Sequence, residues 1–366
     1  MQEYLNTYYI YYAFIVMFSI LITLLSIPSI LHVARTRHLY DDVGHFRKQH
    51  DHGIPRLGGV AIFVSFTITI LLFSIIDKTV PVSSLLASSI VLFIMGLKDD
   101  LSGVNSSTKF FIQIGVATIL VVLGNIRLTS MYGMFGVYDL PYVISCIISV
   151  IVIILIINSF NLIDGIDGLA ATTGIIANGT FAALFIYIKH YELAAVSLTI
   201  VGAIFGFLRY NITPAKIFMG DAGSLLIGLI SAIMAIRFVE LNKFTPNSSP
   251  AVYSAPAIAL TILIGPIFDT IRVFILRVAK GRSPFSADRN HIHHRMLRLG
   301  FNHLQTTLTL GGLNVIMIVM VVLLSGLGNL TLMISVLAIA TLFNWGITFA
   351  LRSKERESTA LRNLFV

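Results

Sequence analysis

The sequence predicts an all-α polytopic membrane protein with about eleven transmembrane helices, and three observations support that prediction. Of its 366 residues, 56% are hydrophobic and only 11% are charged, whereas about a quarter of the residues in soluble domains are usually charged. The mean hydropathy is +0.89. Apolar runs of roughly 17 to 25 residues, each long enough to cross a bilayer as a helix, recur from Tyr9 to Arg352. They lack the alternation of a membrane β-barrel, and a water-soluble fold is excluded.

We expect one integral membrane domain over residues 1–366. The first apolar run has no basic residue ahead of it and no cleavage site of small residues, so it predicts a retained span and not a cleaved signal peptide. The single cysteine, Cys146, lies inside a span, which excludes an intramolecular disulfide and a cysteine-based metal site. The predicted spans lie near residues 9–32, 58–76, 83–97, 110–124, 140–157, 169–188, 193–208, 222–239, 255–277, 308–325 and 329–351.

The basic residues predict an orientation in the membrane. If the N-terminus is outside, the cytoplasmic segments contain 18 Lys and Arg residues and the external loops contain four. The positive-inside rule therefore favours an external N-terminus and a cytoplasmic C-terminus. This distribution also accounts for the net charge of +8 without a nucleic-acid partner. The polar clusters fall in loops near 33–57, 98–109, 158–168, 209–221 and 278–307, all on the predicted cytoplasmic side.

An acidic pair, Asp99 and Asp100, directly follows the third predicted span. A solvated loop is one interpretation of such a pair. The functional interpretation is that two adjacent carboxylates hold a divalent cation or share a proton, because crowding of like charges raises one pKa and makes that group a usable base.

Four polar side chains recur at every third position after a very hydrophobic span: Asn158, Asn161, Asp164 and Asp167. In an unbroken helix the first and last of them would point to opposite sides. The nearby glycines therefore predict a helix break and a loop in which the oxygens converge. Helix capping alone would explain only one or two of them.

The next cytoplasmic loop contains Asn211 and Phe218 and leads into Gly220-Asp221-Ala-Gly-Ser at a helix start. Asp221 could act as a helix N-cap. The other interpretation is that free main-chain N–H groups and the positive end of the helix dipole bind a phosphate, while Asp221 holds a cation.

The longest cytoplasmic loop ends in His291-Ile-His293-His294-Arg295. Zinc binding is one interpretation, but no cysteine accompanies the histidines. Imidazoles together with Arg289 and Arg295 fit a phosphate-rich anion better, and a surface loop with chance histidines is a third interpretation. In the basic loop at 33–57, Arg56 is a candidate for the same site, although most of that loop is expected to be solvated.

The combined residue types indicate a reaction class. Asp and Asn oxygens without cysteine favour Mg²⁺ or Mn²⁺, and the Arg, His and glycine residues favour phosphates. A site at the cytoplasmic edge of a membrane bundle suits a soluble phosphorylated donor and a membrane-embedded acceptor. Phosphoryl transfer needs mainly positioning and charge neutralisation, which these residue types supply.

Five polar motifs occur in order along most of the chain. They are Asp99-Asp100, the run from Asn158 to Ala170, Phe218-Met-Gly-Asp221-Ala-Gly-Ser, Asp269-Thr-Ile-Arg272, and His291-Ile-His293-His294-Arg295. This series resembles the bacterial polyprenyl-phosphate N-acetylhexosamine-1-phosphate transferase family. The His-Ile-His-His form is similar to the WecA/TagO-like subgroup, whereas the phospho-MurNAc-pentapeptide branch has a His-His-His motif.

The resemblance implies transfer of a sugar 1-phosphate, most often GlcNAc-1-phosphate, from a UDP-sugar to undecaprenyl phosphate in the bacterial cytoplasmic membrane, with release of UMP. It implies Mg²⁺, or Mn²⁺, as cofactor and is compatible with a homodimer. One departure is a single Lys109 where the family often has a lysine pair. The residues carried over as catalytic are Asp99, which deprotonates or orients the lipid phosphate, and Asp100 as a supporting carboxylate. The others are Asn161 and Asp221 as metal ligands, Asp167 and Phe218 as uracil contacts, His291, His293, His294 and Arg295 as diphosphate and sugar contacts, and Lys109, Asn158, Asp164 and Asn211 as further substrate-binding residues.

Two alternatives stay open at the level of the sequence. The donor could carry another N-acetylated sugar or phospho-MurNAc-pentapeptide, because the motifs do not encode the shape of the sugar pocket. A transporter would also contain intramembrane acids and broken helices. Its charges, however, are expected near the bilayer midplane, whereas Asp99, Asn161, Asp221 and His293 fall at one predicted edge.

Overall fold

The computed structural model describes residues 2–39, 53–73, 81–243, 252–283 and 290–364, with side chains described from residue 9 to residue 356. Over these residues it confirms the all-helical prediction, since the one sheet-like pairing is an isolated bridge between Ser130 and Asp139. The helices are α1 (Gln2–Thr36), α2 (Gly58–Phe73), α3 (Val82–Ser102), α4 (Ser106–Thr118, continued by a π-helical turn at Ile119–Leu123), α5 (Tyr142–Ile163), α6 (Leu169–Tyr187), α7 (Tyr191–Asn211), α8 (Gly220–Leu241), α9 (Ala255–Ile262), α10 (Ile264–Ala279), α11 (Ile292–Leu299), α12 (His303–Leu323) and α13 (Asn329–Leu364).

Each predicted span coincides with a helix or with a helix pair. Nine of the described helices are long and apolar enough to cross a membrane, and the pair α9 and α10 makes ten if it counts as one span bent by 74°. The remaining predicted span is the shorter α2, of 16 residues. The orientation of the termini stays a prediction. Parts of the predicted loops, including Arg289, lie outside the described residues.

Helix α8 forms the centre of the bundle and is buried along nearly its whole length. It packs against α2, α3, α5, α6 and α9. At its N-terminal end the backbones of α2 and α8 touch, because a Cβ placed on Gly59 would lie 2.1 Å from the main-chain nitrogen of Gly223. Small residues allow this close approach between membrane helices. The start of α8 is therefore held rigidly at the end of the bundle where the polar motifs gather.

A hairpin at 125–141 holds the opposite end of α8. Thr129 donates hydrogen bonds from its N–H and its hydroxyl to the carboxylate of Glu240, at 2.8 and 2.7 Å. Lys243 donates to the Thr129 hydroxyl at 2.8 Å and pairs with Asp139. The central helix is thus fixed at both ends.

Candidate active site

Asp221, at the start of α8, is the residue on which three of the predicted loops converge. Its Oδ2 accepts a hydrogen bond from Lys109 Nζ at 2.7 Å, and its Oδ1 accepts one from Asn161 Nδ2 at 2.9 Å. The same Lys109 ammonium lies 2.5 Å from Asp99 Oδ2. Side chains from α3, α4, α5 and α8 therefore meet at one point, as the sequence analysis expects.

Asp100 differs sharply from its neighbour Asp99. Its two carboxylate oxygens accept hydrogen bonds from the N–H groups of Asp221 and Ala222, at 2.8 and 3.0 Å. Gly220, with φ of +73°, permits this contact, since a Cβ there would lie 2.6 Å from an Asp100 oxygen. Contrary to the sequence-based expectation, these two N–H groups are not free for a phosphate. Both oxygens of Asp100 therefore bind the start of α8, whereas Asp99 and Asp221 each pair with the Lys109 ammonium.

The loop at 164–168 confirms the predicted helix break, because α5 ends at Ile163 and α6 begins at Leu169. Asp164 is half-buried and accepts a hydrogen bond from the Gly220 N–H. Burial and the negative charges of Asp221 and Asp100 raise the pKa of Asp164 well above its usual value. A nearby positive charge would favour its ionised form.

Asn211 holds the loop at 164–168 against the segment that leads into α8. It is 3% exposed; its Oδ1 accepts from the Gly168 N–H and its Nδ2 donates to the Ile217 carbonyl, both at 2.9 Å. Its amide group is thus bonded to main chain on both sides. By fixing these two segments it positions Asp167 and Phe218, which line the same cavity.

Two cavities share a wall at Asn161, and the smaller one also reaches Asp221. The smaller, about 300 Å³, contains Asp167, Phe218 and Asp221. The larger, about 650 Å³, is lined by polar and aromatic side chains. The two share Arg56, Asn161, Asp164 and Gly165. The larger is also lined by Ser106, Lys109, Phe110, Gln113, Asn158, Leu162, Phe274, Arg277, His291 and His294.

Several cavity residues are absent from the sequence-based set. Arg277 is 3% exposed and lines the larger cavity, and a buried charge in an apolar helix is a signal that could have identified it. Gln113 faces Asn158, which donates to Gln113 Oε1 at 2.7 Å. His303 lies 3.3 Å from Asp167 Oδ1 and lines the smaller cavity. No sequence pattern links these last two residues to their partners.

The three histidines of the fifth motif have different surroundings. His291 lines the larger cavity, and its Nδ1 lies 2.9 Å from Asp269 Oδ2. His294 lines the same cavity. His293 lines neither polar cavity and packs against Gly165, where a Cβ would lie 2.6 Å from its Nε2. Burial, followed by the effect of His294, lowers the pKa of His293 to about 3, so its ring is neutral near pH 7.

Arg295, expected to contact the diphosphate or sugar, lines neither polar cavity. Its guanidinium donates to Asn344 Oδ1 at 2.5 Å and to Thr348 Oγ1 at 2.6 Å, both on α13. Lys354, farther along α13, donates to the carbonyls of Arg298 and Leu299 at the end of α11. Because α11 lies against α13, the side chain of Arg295 is turned away from the site and attaches the histidine helix to the membrane bundle.

The acidic cluster fits a divalent cation that completes its coordination with other ligands. No group of three or more His, Cys, Asp or Glu side chains in the described part of the chain is arranged to hold a metal by itself. Asp221 and the amide of Asn161 are adjacent, with Asp99 and Asp164 close by. Mg²⁺ is commonly held by one or two carboxylates, waters and substrate phosphates. The excess of carboxylates over the cations Lys109 and Arg56 favours such an ion.

Comparison with known proteins gives a consistent result. Residues 82–239 match the model of glycosyl transferase family 4. The chain is 32% identical, over 81% of its length and 80% of the relative's, to a probable undecaprenyl-phosphate N-acetylglucosaminyl 1-phosphate transferase of Bacillus subtilis. It is 32% identical, over 72% and 70% of the two lengths, to a decaprenyl-phosphate N-acetylglucosaminephosphotransferase of Mycolicibacterium smegmatis. It is 31% identical, over 72% and 71%, to the undecaprenyl-phosphate alpha-N-acetylglucosaminyl 1-phosphate transferase of Escherichia coli K12.

Proposed function

Because the chain belongs to glycosyl transferase family 4, we propose that it transfers GlcNAc-1-phosphate from UDP-GlcNAc to undecaprenyl phosphate. The products are UMP and undecaprenyl-diphosphate-GlcNAc. An oxygen of the lipid phosphate forms a new bond to the β-phosphorus of the donor. The bond from that phosphorus to the bridging oxygen breaks, and UMP leaves with the electron pair.

The observation that carries this proposal is the position of Asn161, which lies in the shared wall of two chemically different cavities and donates a hydrogen bond to Asp221 in the smaller one. The smaller cavity, with an aromatic ring at Phe218 and a carboxylate at Asp167, suits the nucleoside end of the donor. The larger cavity combines Lys109 and Arg277 with the aromatic side chains of Phe110 and Phe274, as the phosphate of a lipid requires.

The residues at the junction have separate tasks in this mechanism. Asp99 adjoins the larger cavity through Lys109, whose ammonium lies 2.5 Å away. In the proposed mechanism Asp99 orients the lipid phosphate and accepts its proton, while Lys109 neutralises charge beside the attacking oxygen. Arg56, which lines both cavities, and His294, which lines the larger one, face the diphosphate. Asp221 and Asn161 would hold Mg²⁺, which when bound neutralises the diphosphate.

The proposed location is the bacterial cytoplasmic membrane, with the site open to the cytoplasm. The distribution of 18 Lys and Arg residues against four supports this orientation. A cytoplasmic site also fits the proposed donor, because nucleotide sugars are supplied in the cytoplasm. The proposed reaction is the first membrane step in the synthesis of a cell-envelope polysaccharide.

The test is UMP release by the purified protein in detergent with undecaprenyl phosphate and Mg²⁺. UDP-GlcNAc, UDP-GalNAc and UDP-MurNAc-pentapeptide are compared as donors. We expect UDP-GlcNAc to give the highest kcat/KM, and Asp221→Ala to abolish turnover while the protein stays folded, with Asn161→Ala less severe. Asp139→Asn, in the distant hairpin, is the control. Higher turnover with another donor would change the assigned sugar, and an active Asp221→Ala protein with unaltered Mg²⁺ dependence would refute the site.

A further inference from the structure

Asp269, on α10, is a buried carboxylate surrounded by donors. Its side chain is 4% exposed. It lies 2.9 Å from His291 Nδ1 and 2.7 Å from an Arg272 nitrogen. Both of its oxygens lie 3.1 Å from the main-chain nitrogen of Ile292, at the start of α11. Asp269 lines neither of the two polar cavities, so a direct contact with substrate there is not its role.

These contacts determine where the proton of His291 lies. Arg272 and the Ile292 N–H are obligatory donors, and together they require acceptor oxygens on Asp269. An ionised carboxylate has no proton to give, so the ring nitrogen that faces it, Nδ1 of His291, must carry the hydrogen. In a neutral imidazole the other nitrogen, Nε2, is then the bare one.

The Nε2 atom of His291 is the ring nitrogen left for a ligand. It is buried and has no hydrogen-bond partner among the described residues. His291 is 3% exposed and lines the larger cavity with Arg277 and His294. A buried polar atom without a partner costs free energy, about 1–3 kcal/mol. This cost is relieved if a substrate atom supplies the partner.

We propose that Asp269 is a positioning residue that fixes the ring orientation of His291 and places its proton on Nδ1, leaving Nε2 as the one nitrogen that bonds to the substrate. Arg272 completes the arrangement, since it binds both Asp269 and the carbonyl of Asn290, the residue before His291. Asp269 and Arg272, both on α10, therefore bind the chain on either side of His291, at Asn290 and at Ile292. The part of the inference that concerns turnover rests on the proposed function, whereas the position of the proton does not.

The replacement Asp269→Asn separates positioning from simple packing. An asparagine has nearly the same shape, but its amide nitrogen is a donor, so it can face Nδ1 of His291 as a donor and move the ring proton to Nε2. Loss of the group that orients a metal-binding histidine typically lowers activity roughly 10- to 100-fold, and Asp269 orients His291 in the same way. We expect a fall in kcat of that size with a smaller change in KM for UDP-GlcNAc.

The experiment uses the full chain in detergent, labelled with ¹⁵N-histidine, and the spectrum of His291→Gln identifies the His291 signals. We expect a protonated Nδ1 in the wild type and a shift of the proton to Nε2 in Asp269→Asn. Asp139→Asn, the same replacement in the distant hairpin, should change neither spectrum nor turnover. The double variant Asp269→Asn/His291→Gln should be no slower than His291→Gln alone, within about threefold, because the two residues act as a unit.

Two results would overturn the inference. The first is a wild-type spectrum with the His291 proton on Nε2 and a bare Nδ1, which decides the question even if Asp269→Asn does not fold. The second is a loss of turnover in Asp269→Asn that adds in full to the loss in His291→Gln, since Asp269 would then act independently of His291. If no sugar donor supports turnover, the proposed function fails while the ¹⁵N spectrum still tests the tautomer.

Discussion

The contrasting surroundings of Asp99 and Asp100 predict that replacement by asparagine lowers mainly the stability of the protein at Asp100 and mainly its activity at Asp99. In Asp100→Asn, one of two oxygens that accept main-chain N–H groups of α8 becomes an amide donor. The N–H left unsatisfied costs about 1–3 kcal/mol. We therefore expect Asp100→Asn to destabilise the protein by about 1–3 kcal/mol.

In Asp99→Asn the contacts to α8 are untouched, and the amide oxygen can keep the hydrogen bond that Asp99 Oδ1 accepts from the Val104 N–H at 2.7 Å. The replacement removes one of the two carboxylates that pair with Lys109, and the ammonium keeps Asp221 Oδ2 at 2.7 Å as its partner, so the loss of stability is small. It also removes the carboxylate that faces the lipid phosphate in the proposed mechanism. We expect a large fall in kcat with a melting temperature close to that of the wild type.

Thermal unfolding in detergent, followed by a thiol-reactive dye, measures both variants, because the single Cys146 is partly buried and becomes reactive on unfolding. UMP release measures activity in parallel. A stable but inactive Asp100→Asn protein would show that Asp100 takes part in the chemistry. An equal loss of stability in Asp99→Asn would show that the two carboxylates do not differ in the way the structure indicates.

Three further predictions concern the histidine motif and the topology. His293 has a pKa of about 3 in the folded protein and about 6.5 in the unfolded chain, so between these values it takes up a proton only on unfolding. The free energy of unfolding should therefore fall as the pH decreases below 6.5, by about 2 kcal/mol at pH 5. His293→Gln should remove that part of the pH dependence of the melting temperature. Gly165→Ala places a Cβ 2.6 Å from His293 Nε2 and should cost about 1–3 kcal/mol through overpacking; the same loss in a His293→Ala background would show that the two residues do not touch. In a cysteine-free background, cysteines at Ser106 and Ser283 should resist an impermeant thiol reagent added outside intact cells, while one at Ser248 should react; the reverse pattern would invert the predicted orientation.

The positions of the candidate site residues were predictable because helix ends and hydrophobic spans are local features of the sequence. Asp99, Asn161 and Asp221 each adjoin an apolar run, so they had to lie near one membrane edge once the spans were placed. Their mutual contacts follow from the packing of α3, α4 and α5 around α8. The helix break near Gly165 was predictable for the same local reason.

The partners of individual side chains depend on helix rotation, which no local pattern encodes. Asp99 and Asp100 are adjacent in sequence, yet they point to Lys109 and to the start of α8, respectively. Arg295 faces α13 because of how α11 rests on that helix. The bend of 74° between α9 and α10 was also missed, although Gly265-Pro266, just after the turn at Leu263, is a sequence signal for a helix break.

Helix α13 connects the membrane bundle to the histidine motif, so a movement of its C-terminal end is transmitted to that motif. It runs from Asn329 to Leu364, about 54 Å at the usual helical rise, which exceeds the hydrocarbon thickness of roughly 30 Å. Lys354, in the part beyond the predicted span, joins it to the end of α11, and Arg295 of α11 binds Asn344 and Thr348 within the span. A fused protein, an affinity tag or an antibody that tilts this extension would therefore displace His291 without entering either cavity. For anyone who prepares the protein for assay, attachment at the N-terminus is the safer choice.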